Sequence, residues 1–152
     1  MAKTIYIGID PGKSGGIAYI LNGKMYAHKF PKDLRNIVEI LKNLKQAKCL
    51  CAMELVHSFP GQGVVSTFSF GENFGMWKGM LTAFDIEYKL VTPRIWMRFY
   101  GELPKEKSLR KKKLKEIAKE LYNDIKVTLY TADAILITHY LKEIANEKSK
   151  DT

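Results

Sequence analysis

Cysteine is scarce in this chain, with two residues, Cys49 and Cys51, among 152. One residue apart in CLCAMEL, they fall on the same face of a strand, where they pack as buried thiols and do not suit an ordinary disulfide. A structural zinc site needs further ligands at suitable spacing, and His28, His57 and His139 are scattered. Disulfide scaffolds and zinc modules are thereby set aside. Long apolar runs are missing as well, since nothing approaches the roughly 18 consecutive apolar residues of a membrane span. The opening MAKTIYIGID has neither the basic n-region nor the apolar h-region of a secretory leader. The expectation is a cytoplasmic protein with no membrane partner.

Acidic residues are also in deficit. Sixteen Asp and Glu face 25 Lys and Arg, giving a net charge of +9, which favours a polyanion, nucleic acid first, over a small neutral substrate. The surplus is concentrated in Lys105, Lys107, Arg110, Lys111, Lys112, Lys113, Lys115 and Lys119. Taken alone, such a run is more often a solvated helix with i,i+4 pairs such as Lys112 and Glu116.

What is present suffices for one core. With 46% hydrophobic residues, positions 1–152 are expected to form a single domain. IYIGID alternates with the period of a strand, PGKSGG is a turn, and GIAYIL, NG and KMYAHKF read as a hairpin. Residues 32–46 carry an apolar stripe at helical spacing. AKCLCAMELV is a short apolar strand buried on both faces, ending in Glu54. VVSTFSFGENFGMWKGMLTAF reads as a helix over its latter part, with Gly71, Gly75 and Gly79 on one side, a bare face that permits close approach of another backbone within the fold or across a dimer. DIEYKLV is a strand, TPRIWMRFYG a short helix with Pro93 near its start, and residues 105–122 a basic helix. A last helix starts with Thr131 as N-cap and runs to Glu147, with 147–152 as a disordered tail. Three meandering strands followed by strands alternating with helices predict an α/β fold with a mixed five-stranded sheet flanked by helices.

The stretch IGIDPGKSGG ends a strand in an acid and contains GKS, the tail of a phosphate-binding loop. That loop needs four residues between its glycines, and Gly8 and Gly12 have three. Asp10 is then the feature to explain. Three carboxylates sit in otherwise apolar surroundings: Asp10, Glu54, and Asp133 in the first turn of the last helix. Singly, each has a plain reading as a turn residue, a strand-end acid reaching solvent, and a charge offsetting a helix N-terminus. Together, adjacent strand ends and a helix packed on them converge the three. Converging carboxylates repel unless a divalent cation neutralises them, and hard oxygen donors suit Mg²⁺ or Mn²⁺. Two such ions per site would activate water and stabilise the leaving oxygen of a phosphodiester. A basic protein with that site looks like a nuclease.

The segments IGIDPGKSGGIAY, AMELVHSFPGQG, FSFGENFGMWKGML, VTPRIWM and TADAILITHYL, in order over residues 5–142, resemble the RuvC-type Holliday junction resolvases, especially their phage and prophage members. The first motif alone is shared with actin-like and sugar-kinase ATPases, which use two such domains; the ordered set is specific. The resemblance implies an RNase H-like fold, a homodimer, and metal-dependent paired nicking of four-way DNA junctions, in the cytoplasm of a cell or of a phage's host. By it, Asp10 matches the acid of the first strand, Glu54 the central acid, and Asp133 the acid opening the last helix. The family's fourth ligand, an acid or histidine three or four residues before that Asp, falls on Tyr130 and Leu129, which do not suit Mg²⁺. His139 points to another side of the helix. The resemblance also implies a lysine near the scissile phosphate, for which Lys105 and Lys107 are candidates, with Arg110, Lys111, Lys112 and Lys113 on the DNA backbone. The resemblance further implies an aromatic after the central Glu that wedges into the opened junction, for which Phe59 is the nearest match; stacking there would be worth about 1–3 kcal/mol. Core packing is the other reading of Phe59 and Phe68. The alternative activity is a catalytically weakened or inactive junction-binding protein of the same fold.

Overall fold

In the computed structural model, which describes residues 3–151, the alternation of IYIGID forms β1 (Ile5–Asp10), at the centre of the sheet. Ile5, Ile7 and Ile9 are buried on one face, and Gly8 and Asp10 lie on the other. β1 pairs antiparallel with β2 (Gly16–Leu21), which turns at Asn22 and Gly23, both at positive φ, into β3 (Lys24–Lys29). On its other side β1 runs parallel to β4 (Cys49–Glu54), and β4 parallel to β5 (Tyr88–Val91). The order is β3-β2-β1-β4-β5, a mixed five-stranded sheet.

Helices cover both faces. α1 (Arg35–Leu44) and α2 (Val64–Ala83) pack Ile37, Leu41, Trp77 and Leu81 against the isoleucines of β1. α3 (Pro93–Arg98), α4 (Lys107–Leu121) and α5 (Ala132–Lys150) close the opposite face with Trp96, Leu114, Ala134 and Ile135. Cys49 and Cys51 are free thiols on the α1/α2 side, and burial pushes Cys51 well above the usual thiol range. No described helix is long and apolar enough to cross a membrane.

Several local features differ from the sequence reading. α2 begins at Val64, so the whole VVSTF stretch is helical, although Gly63 is extended and offers no side-chain cap. Asn73, Trp77 and Leu81 face inward, which turns Gly71, Gly75 and Gly79 to the exposed side, where nothing stands within 4 Å of an added Cβ. The bare face is therefore not packed on the sheet. α4 starts at Lys107, not 105, because Glu106 is extended. Thr131 does not cap α5 with its side chain; its Oγ1 accepts instead from the Thr128 N–H at 3.1 Å. Residues 147–150, predicted as disordered, are helical, since nothing in NEKSK breaks a helix; Thr152 lies outside the described residues.

The contact of α5 with β1 positions everything that follows. A Cβ on Gly8 would collide with the Thr138 N and Oγ1 and with the Ala134 carbonyl, so the missing side chain lets the α5 backbone lie directly on the strand. Thr138 Oγ1 is 2.7 Å from the Ala134 oxygen and 3.1 Å from that of Ala18, which ties α5 to β2 as well.

Candidate active site

Asp10 is two residues beyond Gly8 and so on the same face of β1, the face on which α5 lies. The parallel register Ile9↔Met53 puts Glu54 beside it at the end of β4. Asp133 enters from the first turn of α5, whose next residue, Ala134, abuts Gly8. The sequence expectation that two strand ends and one helix gather these acids is thus the arrangement the fold produces. All three line one cleft of about 820 Å³, each only partly exposed.

Their electrostatics follow from that placement. Burial, then the charges of Asp133 and Glu54, raises Asp10 well above the usual carboxylate range. Burial pushes Glu54 up to about 7 despite the opposing hydrogen bond from Trp96, and Asp133 adds to the rise. Burial likewise raises Asp133, with Lys111 and Arg110 acting against it. Lys111 lowers all three, yet among the described residues the ion pairs are Arg35–Asp33 and Lys142–Glu143, so no base neutralises this trio directly.

Among the described residues no group of three or more His, Cys, Asp or Glu is gathered closely enough to hold a metal ion as the side chains stand. The chemistry of the donor set nevertheless fits a hard divalent cation: three mutually repelling carboxylates without a paired base gain most from one. Tyr130 and Leu129 do not line the cleft; both are exposed, and the Lys29 ammonium sits 5.7 Å from the Tyr130 ring. His139 is turned away, with Nδ1 2.7 Å from the Tyr122 hydroxyl.

The basic residues divide. Lys107, Arg110 and Lys111 line the cleft, whereas Lys105, Lys112 and Lys113 do not. Arg110 also donates to the carbonyls of Lys105 and Pro104, which fixes the loop before α4. Phe59 is on the cleft wall and 71% exposed, and Phe68 is 72% exposed, so neither packs in the core. Lys13, His57, Arg94 and Phe70 also line the cleft, from the β1–β2 turn, the loop after β4, α3 and α2. Those four come from segments the sequence marks as motifs, but nothing in their spacing singles them out. Trp96 is fully buried and donates its indole N–H to Glu54 Oε2 at 2.7 Å.

The sequence matches no protein-family model and no curated protein. Solved structures do match. The chain is similar to the Thermus thermophilus RuvC in complex with a Holliday junction substrate, with a TM-score of 0.64 and 12% identity over 95% of this chain and 96% of that one. A second Thermus thermophilus RuvC structure gives a TM-score of 0.59 and 14% identity over the same shares. At these identities the likeness concerns the fold, and the chain has the RuvC-like, RNase H-like α/β fold over nearly its whole length.

Proposed function

We propose that the chain is a metal-dependent endonuclease that resolves four-way DNA junctions by paired phosphodiester nicks. The observation that carries this reading is the convergence of Asp10, Glu54 and Asp133 in one cleft beside the basic helix α4. The fold shared with a RuvC in complex with a Holliday junction supports the junction as substrate, and the ordered motifs support a place near phage and prophage members. Asp10, Glu54 and Asp133 would hold Mg²⁺ or Mn²⁺, which would supply a polarised water and charge neutralisation at the phosphodiester. Lys107, Arg110 and Lys111 bind the DNA backbone beside the acids. Phe59, exposed at the rim, stacks on an unpaired base. Binding through phosphates makes shape and charge, more than base edges, the source of selectivity.

A homodimer completes this reading. The glycine face of α2, together with exposed Val64, Val65 and Phe68, is apolar and open to a second copy. Two copies place two clefts on the two strands to be nicked.

A second reading, a junction-binding protein without cleavage, is favoured by one observation: Tyr130 and Leu129 bring no fourth ligand to the cleft. Cleavage of a labelled four-way junction with Mg²⁺ or Mn²⁺, set beside a linear duplex and the Asp10→Asn variant, separates the two. Symmetric nicks that require metal and vanish in the variant are expected. Junction binding with no nicks from the wild type would leave the second reading standing.

A further inference from the structure

We propose that Trp96 is a positioning residue for Glu54: its indole N–H holds Oε2, so that Oε1 is the oxygen Glu54 presents to a metal ion and Trp96 thereby sets metal affinity. The inference rests on the reading of Glu54 as a metal ligand and gives Trp96, otherwise a buried side chain of the core, a role in the site.

The local structure explains why the indole arrives there. β5 runs parallel to β4 with Glu54 opposite Val91, and the Leu55 N–H continues the ladder to the Val91 oxygen at 2.8 Å. The chain then leaves the sheet at once. Thr92 caps α3, its Oγ1 accepting from the Ile95 N–H at 3.3 Å, and Pro93 holds the first helical φ. One turn later Trp96 lies under the end of β4, fully buried and edge-on to Tyr100 at 6.3 Å between centroids.

An indole is a donor with one proton and no acceptor. It can therefore engage one carboxylate oxygen only, and among the described residues Oε1 has no protein partner. A second-sphere donor of this kind orients a ligating carboxylate, and losing one typically weakens metal binding about 10–100-fold. The protein supplies its own control: Trp77, the other tryptophan, is buried with its Nε1 unpartnered among the described residues. Removing its N–H breaks no hydrogen bond.

The test is Mg²⁺ titration of the full chain, followed by the two indole N–H resonances and by calorimetry, with Trp77→Phe assigning the peaks. Trp96→Phe removes the donor but also volume. A second variant therefore replaces Trp96 by its benzothiophene analogue, which keeps the shape and exchanges N–H for sulfur. The expected result is a saturable Mg²⁺ shift of the Trp96 resonance and none of Trp77, with Mg²⁺ affinity lowered about tenfold or more in the analogue. Junction affinity without metal stays unchanged. Unaltered Mg²⁺ affinity in the analogue, in a protein whose wild type binds Mg²⁺ and nicks junctions, overturns the inference alone. No saturable Mg²⁺ response and no nicking by the wild type overturns the nuclease reading and the inference with it.

Discussion

Gly12 donates its backbone N–H to Asn73 Oδ1 at 2.7 Å, across 61 positions of sequence. The bond pins the turn that follows Asp10 to the inner face of α2. Gly12 has φ +115°, and a Cβ there would stand 3.3 Å from the Phe70 ring, so the turn is held by geometry as well as by hydrogen bonding. Asn73→Ala leaves a buried N–H without a partner and is expected to destabilise the fold by about 1–3 kcal/mol. A urea titration reads this as a lower midpoint at an unchanged slope. An unshifted midpoint would mean that the turn holds itself.

Gly8→Ala sets a methyl group against the backbone of α5, which no rotamer change can relieve. Destabilisation of about 3 kcal/mol or more is expected, at the upper end for overpacking. The thermal midpoint checks it. The contrast is Gly75→Ala, on the open face of α2, which should raise helix stability by roughly 0.5–1 kcal/mol in the monomer.

The acids make metal-free stability depend on pH in a direction opposite to ordinary acid denaturation. Glu54 moves from 4.5 up to about 7 on folding, chiefly through burial. The folded state thus holds the extra proton between those values, and this stabilising contribution, complete below the unfolded pKa, is lost as pH rises through the folded one. Asp10 and Asp133 shift the same way, also first through burial. Asp10→Asn should therefore melt higher than the wild type at about pH 8 without metal, with the gap narrowing as pH falls. Saturating Mg²⁺ should narrow it by raising the wild type. Thermal scans across pH with Mg²⁺ or a chelator decide; a gap independent of both would sink the idea.

The division of the basic helix predicts unequal lysines. Lys111 influences all three acids, and Lys107 lines the same cleft, while Lys112 and Lys113 do not. Lys111→Ala should cut junction nicking by at least about tenfold and, like Lys107→Ala, reduce the salt slope of binding by about one. Lys112→Ala and Lys113→Ala should leave nicking near the wild-type rate. Equal loss at Lys112 would place the DNA across the outer face of α4.

What was legible in the sequence follows from the range of the interactions involved. Alternation in IYIGID and the apolar run of CLCAME reveal strands because each residue's environment repeats locally. Asp10, Glu54 and Asp133 stand out because charge interrupts those patterns. The start of α2 was hidden because Gly63 supplies no capping side chain and the glycines weaken the helical signal. Thr131 reads as a cap, but its hydroxyl is taken by Thr128, a competition within a turn that composition does not reveal. The Trp96–Glu54 bond spans 42 positions and depends on where β5 ends, so no spacing rule finds it. Lys111 and Lys112 are indistinguishable in sequence; only the orientation of α4 separates them.

The seat of α5 on β1 also has an evolutionary side. Gly8, Ala134 and Thr138 share one small volume, in which the absence of a side chain on one chain segment is the shape of the other. Two of the three atoms that a Cβ at position 8 would strike, the Thr138 nitrogen and the Ala134 oxygen, are backbone and stay whatever side chains those positions carry. No exchange at 134 or 138 can therefore make room for a side chain at position 8, and a descendant that keeps this seat is expected to keep glycine there.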